Sequence, residues 1–215
     1  MLRAMIDAYV WTTPNGFKAL IGLEELALPY TLKWTDITKG AQKTSEYSAI
    51  NPNHKIPAIV DHEPKGGGAP ITVFESGAVL VYLAEKTSKL LPASGEARYT
   101  TLEWTFFNIG GPGPMLGQLG YFTKFAKEKV PHAIERYTTE AERLFHVLDG
   151  RLANTHYLAG DELTIADIAN FTWPRAARTF LEMDLSKYTH LTRWLDELEK
   201  RPAFARALAS KPPAT

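Results

Sequence analysis

The sequence contains no cysteine among its 215 residues. This absence excludes structural disulfides, zinc sites with cysteine ligands and a cysteine nucleophile that belongs to the chain itself. Any thiol chemistry must therefore use a thiol that arrives with a ligand.

An excess of charge of either sign is also missing, because 24 Lys and Arg residues balance 24 Asp and Glu residues. A nucleic-acid-binding protein typically shows a basic patch, and a protein attracted to anionic lipid shows a polybasic stretch. The sequence has neither feature, so we expect no nucleic-acid partner and no membrane partner.

Long apolar runs are absent as well, since no segment approaches the roughly 18 apolar residues of a transmembrane helix. Residues 1–10 contain one basic residue and lead directly into the polar segment 12–16. This pattern is unlike that of a secretory signal peptide, so we expect a cytoplasmic protein. Hydrophobic residues make up 45% and charged residues 22%, which is ordinary for a globular protein of one or two domains.

The first part of the chain alternates between strand and helix patterns. The order β-α-β-α-β-β-α, with a parallel crossover between the first two strands and an antiparallel last pair, predicts a thioredoxin-like α/β domain. The predicted strands are 5–11, 30–35, 58–60 and 71–74, and the predicted helices are 16–26, 44–50 and 76–86.

The second part of the chain shows helical periodicity only. We therefore predict an α/β thioredoxin-like N-terminal domain over residues 1–87 and an all-α helical C-terminal domain over residues 96–209. The predicted helices of the second domain are 99–109, 133–152, 165–179 and 191–200, with a break at the glycine- and proline-rich residues 110–114.

The motif Thr13-Pro14-Asn15-Gly16 separates the first strand from the first helix. A threonine N-cap followed by proline is a typical helix start, and the N–H groups and positive dipole end there favour an anion. Thr13 or Asn15 could add one directed donor to a thiolate. The alternative is a plain helix cap.

Two further motifs flank the predicted hairpin. A cis bond between Ile56 and Pro57, just before the third strand, would expose the backbone of Ile56 to an extended ligand; the alternative is a rigid loop. After the fourth strand, Ser76 is the predicted N-cap of the next helix. Its hydroxyl would face a carboxylate while Glu75 receives an ammonium group, and simple capping is again the alternative.

Thr164 and Asp167 form the [ST]-x-x-[DE] pattern of a capping box before an apolar run. We assign this pair to folding and not to chemistry.

Taken together, these motifs resemble the glutathione transferase superfamily over nearly the whole chain. The α/β half with Thr-Pro-Asn-Gly, Lys-Ile-Pro and Glu-Ser-Gly precedes a helical half with Leu-Thr-Ile-Ala-Asp. Residues 59–62, 113–118 and 133–137 are similar to the nu-class group, which includes disulfide-bond oxidoreductases of bacteria and fungal nitrogen-regulator-like transferases.

The resemblance implies a glutathione site. Thr13 would donate its hydroxyl toward the glutathione sulfur with Asn15 beside it, so these two residues would be catalytic. The backbone of Ile56 would pair with the cysteinyl unit. The remaining implied contacts are Gln42 and Lys55 with the glycine carboxylate, Glu75 and Ser76 with the γ-glutamyl end, and Arg136 with the sulfur or a second glutathione.

Some of these residues have alternative roles. Arg136 could pair with Glu140 one helical turn away. Tyr9 lies near the position of the catalytic tyrosine in other transferase classes, but we expect it in the core because Thr13 and Asn15 replace it. Five aromatic residues could line the second-substrate pocket: Trp104, Phe106, Phe107, Tyr121 and Phe122. For Trp104 and Phe106 we favour the alternative, a place in the helical core.

The resemblance therefore implies a glutathione-dependent thiol:disulfide oxidoreductase with glutathione transferase activity. Glutathione is the co-substrate, the second substrate is a small disulfide or an electrophile, and no metal is needed. The alternatives are a conventional transferase that conjugates electrophiles and a glutathione-binding regulatory module. The resemblance and the apolar residues of 99–109 also predict a homodimer.

Overall fold

A computed structural model describes residues 5–213 of the chain. They group into two compact units. The first unit runs to Ala93 and also includes the segment from Arg201 onward, and the second unit runs from Ser94 to Lys200. Within the described residues, no helix is long and apolar enough to cross a membrane.

The first unit contains a four-stranded mixed sheet with helices packed against it. Its elements are β1 (Ile6–Val10), α1 (Pro14–Glu25), β2 (Tyr30–Trp34), a 3-10 turn (Ala41–Lys43), α2 (Ser45–Ile50), β3 (Ala58–Asp61), β4 (Ile71–Phe74) and α3 (Ser76–Thr87). The strand order is β2-β1-β3-β4. β1 is parallel to β2 and antiparallel to β3, and β3 is antiparallel to β4. This topology confirms the predicted thioredoxin-like fold.

The alternation of side chains along β1 decides which face of the sheet is core. Ile6, Ala8 and Val10 are fully buried, whereas Asp7 and Tyr9 on the other face are partly exposed. The helices α1 and α3 pack against each other very closely. A Cβ atom on a residue replacing Gly22 would lie 2.9 Å from a methyl carbon of Leu80, which explains the glycine there.

The second unit is helical in the part of the chain that the structure describes, apart from one isolated bridge. Its elements are α4 (Gly95–Gly110), α5 (Pro112–Gly120), a π-helical turn (Tyr121–Phe125), α6 (Pro131–Leu152), α7 (Ile165–Thr179) and α8 (Thr189–Glu199). The core includes the fully buried side chains of Phe145, Phe171 and Trp194. The all-α prediction is confirmed.

The glycine- and proline-rich residues 110–114 do interrupt the helices, but they also begin α5. Pro112 occupies the first turn of that helix. The missing N–H of proline costs nothing there, because the first N–H groups of a helix have no intrahelical acceptor. The sequence pattern does not predict this helix.

The last helix, α9 (Pro202–Ala209), belongs to the first unit and packs on α1. Arg201 forms a bidentate ion pair with Glu25, at 2.8 and 3.0 Å, and Arg206 pairs with Glu24 at 2.6 Å. The range 96–209 placed this helix with the all-α part, whereas its contacts lie in the first unit. The ranges 1–87 and 96–209 stay predictions of the domain limits.

The capping box at the start of α7 is confirmed. The Thr164 hydroxyl oxygen accepts a hydrogen bond from the N–H of Ala166 at 3.3 Å. The Asp167 carboxylate accepts bonds from the N–H groups of Thr164 and Leu158, each at 2.9 Å, and from the Trp194 indole at 3.1 Å. Burial raises the pKa of Asp167 while these bonds act in the opposite direction. The pair thus serves folding, as predicted.

Candidate active site

Thr13 caps the N-terminus of α1. Its backbone is extended, and its hydroxyl oxygen accepts a hydrogen bond from the Gly16 N–H at 3.1 Å. That bond uses a lone pair of the oxygen and leaves the hydroxyl hydrogen available as a donor. No described residue accepts a hydrogen bond from the Thr13 hydroxyl. An anion at this helix end would therefore meet a hydroxyl donor and the positive end of the helix dipole.

Gly16 is required for the tight connection between β1 and α1. A Cβ atom at this position would lie 2.1 Å from the carbonyl oxygen of Trp11, which is too close for any side chain. The same oxygen accepts a hydrogen bond from the Thr13 N–H at 2.7 Å. The glycine thus lets the chain turn sharply and places Thr13 directly after the strand.

The bond between Ile56 and Pro57 is cis. Neither the N–H nor the C=O of Ile56 forms a hydrogen bond to another described residue. The side chain of Lys55 is exposed, whereas its carbonyl oxygen accepts hydrogen bonds from Tyr47 and Asn51. An extended ligand would find free backbone groups at Ile56.

Glu75, and not Ser76, is the N-cap residue of α3, so the predicted cap is wrong by one residue. Glu75 has a φ of 72° and makes no side-chain capping bond. The helix begins at Ser76 because the C=O of Glu75 already accepts the N–H of Val79 at 2.8 Å. The carboxylate of Glu75 is exposed and Ser76 is buried. A carboxylate directed to solvent can receive an ammonium group.

The register of the sheet brings three of the predicted site positions, Thr13, Ile56 and Glu75, to the same end of the strands. Ala58 lies opposite Tyr9 of β1 and opposite Phe74 of β4. The carboxyl ends of β1 and β4, which lead to Thr13 and Glu75, therefore meet the amino end of β3, which follows Ile56 and Pro57. Positions separated by more than sixty residues in sequence share this end of the strands.

Lys18 on α1 is a further residue near the candidate site, and no motif in the sequence singles it out. Its side chain is only 1% exposed, and burial lowers its pKa to about 7 while the charge of Glu75 acts in the opposite direction. Lys18 precedes the buried Ile21 and Gly22 by three and four residues and so shares their face of α1. Lysine is almost never fully buried, so this spacing alone does not predict its burial. A buried lysine that titrates near neutral pH thus lies within electrostatic reach of a carboxylate of the candidate site.

Gln42 lies in the 3-10 turn after β2 and is weakly held by the protein. Its Nε2 donates to the C=O of Ile37 at 3.5 Å, a long hydrogen bond, and its buried Oε1 accepts no hydrogen bond from a described residue. That oxygen can only accept a hydrogen bond, so a ligand carboxylate would have to be bound by Nε2 in place of its long bond to Ile37. Its predicted role toward a glycine carboxylate stays a prediction.

Arg136 lies on α6 in the second unit and is exposed. The alternative ion pair with Glu140 is not formed in the described residues; Arg143 binds this carboxylate in a bidentate pair at 2.7 and 2.8 Å. The hydrogen bond from Arg143 lowers the pKa of Glu140, and the charge of Arg136 adds to this shift. Its side chain is therefore accessible to a ligand.

Tyr9 is partly exposed and does not belong to the core, contrary to expectation. Its ring packs edge to face on Tyr47, with 5.9 Å between the ring centres. Burial and the nearby charge of Asp7 raise the pKa of Tyr9, so the neutral phenol is favoured and a tyrosinate base is not.

Among the aromatic residues of the second unit, Phe106 is 60% exposed, so its assignment to the core is wrong. Trp104 is partly buried and packs edge to face on Phe107, at 5.3 Å between ring centres. Phe122 contacts Tyr121 edge to face and stacks on Tyr137. Across residues 5–213, no group of three His, Asp or Glu side chains could hold a metal ion.

Comparisons with known proteins give a consistent result. Two family models match the chain: Glutathione S-transferase, N-terminal domain, over residues 12–86, and Glutathione S-transferase, C-terminal domain, over residues 114–202. The disulfide-bond oxidoreductase YfcG of Escherichia coli (strain K12) is 48% identical over 204 residues, which cover 95% of this chain and 94% of that protein.

Solved structures are similar to the chain as well. A glutathione transferase family member from Pseudomonas fluorescens pf-5, with two glutathione bound, has a TM-score of 0.92 and 41% identity, covering 95% of this chain and 92% of that one. A glutathione transferase from Pseudomonas putida, with one glutathione disulfide bound per subunit, has a TM-score of 0.89 and 37% identity, covering 96% of this chain and 91% of that one.

Proposed function

The chain belongs to the glutathione S-transferase family, and we propose that it reduces disulfides with the thiolate of bound glutathione. The observation that carries the proposal is the Thr13 hydroxyl, which has a free hydrogen at the N-terminus of α1. The chain has no cysteine, so the reacting thiol must belong to the ligand. The 48% identical relative bears the name of a disulfide-bond oxidoreductase, which supports this activity over others in the family.

The binding mode follows the end of the strands described above. The γ-glutamyl end of glutathione lies at Glu75 and Ser76, where an exposed carboxylate receives its ammonium group and the N-terminus of α3 receives its carboxylate. The free backbone groups of Ile56 pair with the cysteinyl unit. Two long side chains of the same unit, Gln42 and Lys55, bind the glycine carboxylate. Arg136 of the second unit is assigned to the sulfur or a second glutathione by the family resemblance alone.

The chemistry takes place in two thiol–disulfide exchanges. The Thr13 hydroxyl donates to the sulfur with Asn15 beside it, which favours the charged thiolate. This thiolate attacks one sulfur of the substrate disulfide, forming a mixed disulfide and releasing the other sulfur as a thiolate. A second glutathione thiolate attacks the glutathione sulfur of the mixed disulfide, so glutathione disulfide forms and the remaining substrate thiol leaves. The same bound thiolate can attack an electrophilic carbon, which is the transferase reaction.

Substitution of Thr13 tests this assignment. Thr13→Ala removes a hydrogen bond to a charged group, which contributes about 1.5–3 kcal/mol. The thiol pKa of bound glutathione should rise by about one to two units, and disulfide reduction near neutral pH should fall about 10- to 100-fold. The loss should shrink as pH rises, because glutathione then ionises without help. Asn15→Ala should act in the same direction.

Thr13→Ser is the matched control, because it keeps both the cap and the hydroxyl, and it should retain the thiolate titration of the parent protein. Two measurements test the assignment of Thr13: the thiolate absorbance of bound glutathione as a function of pH, and the rate at which a small mixed disulfide is reduced. An unchanged titration and turnover in Thr13→Ala would refute the assignment. Bound glutathione without turnover of a disulfide or an electrophile would instead favour a regulatory binding module.

We also propose a cytoplasmic homodimer. Tyr99 and Phe106 on α4 are 66% and 60% exposed, and exposed apolar side chains on one helix are typical of a protein–protein interface. Sedimentation at micromolar concentration should give the mass of a dimer, and a monomer would contradict this part of the proposal.

A further inference from the structure

Two buried side chains hold the backbone carbonyl of Lys55. The Tyr47 hydroxyl donates to this oxygen at 2.6 Å, and Nδ2 of Asn51 donates to it at 2.7 Å. A carbonyl oxygen has two lone pairs, so both are occupied by the protein. The direction of this carbonyl is therefore determined by α2 and the residue that follows it.

Both donors are themselves held in place. Tyr47 is 4% exposed and Asn51 is 1% exposed. Asn51 accepts the N–H of Asn53 with its side chain at 2.9 Å and the N–H of His54 with its backbone at 3.0 Å. The Tyr47 ring packs on Tyr9, and burial raises the pKa of Tyr47 to about 12. The phenol thus stays a donor at every pH at which the protein would be assayed.

The planarity of the peptide bond transmits this constraint to Ile56. The C=O of Lys55 and the N–H of Ile56 belong to one planar peptide unit, and this unit is trans, since the cis bond is the next one. In a trans peptide the two groups point in opposite directions. A Lys55 oxygen fixed toward Tyr47 and Asn51 therefore directs the Ile56 N–H away from them. No described residue accepts a hydrogen bond from that N–H.

We propose that Tyr47 and Asn51 are positioning residues for glutathione, which aim the Ile56 N–H at the carbonyl of the cysteinyl unit. This inference rests on the proposed function. Neither side chain touches the reacting sulfur, so both act on ligand affinity and not on the thiol pKa. Without these two bonds the peptide unit can rotate, and ligand binding must then supply the cost of ordering it.

The test compares two tyrosine variants by calorimetry and steady-state kinetics. Tyr47→Phe should raise the Kd and the KM for glutathione about three- to tenfold, the range that one hydrogen bond contributes, with kcat and the thiol pKa unchanged. Tyr30→Phe is the matched control. It removes a hydroxyl that donates to Glu24 at 2.6 Å in the same unit, but at the opposite end of β2 from the site, and should leave the Kd unchanged.

A second variant and a spectroscopic signal keep the inference testable if Tyr47→Phe folds poorly. Asn51→Asp keeps the acceptor for Asn53 but cannot donate to Lys55, so it should also weaken glutathione binding at least threefold. In the parent protein, glutathione should shift the Ile56 amide signal downfield and slow its hydrogen exchange, and both changes should be smaller in the variants.

The possible outcomes separate this inference from the proposed function. If the parent protein does not bind glutathione, both fail. If the parent binds it and Tyr47→Phe and Asn51→Asp bind it equally well with the same Ile56 response, only the inference fails. A lower melting temperature with an unchanged Kd would likewise overturn it, because the two side chains would then serve stability alone.

Discussion

Replacing Lys18 with methionine should change how the stability of this protein depends on pH. The Lys18 side chain is 1% exposed, and burial lowers its pKa to about 7 although the charge of Glu75 opposes the shift. In the unfolded chain a lysine has a pKa of about 10.4. Between these two values the unfolded chain holds a proton that the folded protein has released. The free energy of unfolding must therefore rise with pH in this range.

The size of the effect follows from proton linkage. One proton contributes at most about 1.4 kcal/mol per pH unit. Because the folded group is half protonated near pH 7, the free energy of unfolding should increase by about 2 kcal/mol between pH 7 and pH 9. Below the folded pKa both states bind the proton, so the contribution of Lys18 no longer varies with pH.

Urea unfolding of the parent protein and Lys18→Met at several pH values measures the difference. Titratable groups common to both proteins contribute equally to the two curves of unfolding free energy against pH. The difference between the curves therefore reports Lys18, and the increase of about 2 kcal/mol between pH 7 and pH 9 should be absent from the methionine variant. Lys39→Met is the control, since the Lys39 side chain is 68% exposed and its loss should keep the slope. Parallel curves for the parent and Lys18→Met would refute the argument and mean that the ammonium stays charged in the folded protein.

Two further predictions concern carboxylates. Asp167→Ala should reduce the free energy of unfolding by about 2–5 kcal/mol, because the buried N–H groups of Leu158, Thr164 and Trp194 lose their acceptor. Thermal melting measures this loss, and equal melting temperatures for the variant and the parent protein would contradict it. Turnover per folded molecule should stay the same. Glu75→Gln should weaken glutathione binding about tenfold with little effect on the thiol pKa, since an ammonium–carboxylate hydrogen bond is lost; calorimetry with a thiolate titration separates the two quantities.

Much of the fold could be read from the sequence because its signals are local. The helix Ile165–Thr179 was predicted with the observed limits, since Thr164 and Asp167 mark its start within one turn. The hairpin of β3 and β4 follows equally from two apolar runs around a glycine-rich turn. The helix α5 was missed because Pro112 is compatible both with a break and with a first helical turn, and neighbouring residues do not distinguish the two.

The type of chemistry follows from the amino-acid sequence. Without cysteine the thiol must come from a ligand, and a threonine before a proline places a hydroxyl at a helix N-terminus. The packing of separate elements is what buries Lys18 near Glu75 and lets Tyr47 and Asn51 hold the carbonyl of Lys55. Periodicity and capping depend on residues within about four positions of each other. Burial and hydrogen bonds between separate elements depend on which elements the fold brings together, and no local pattern records that.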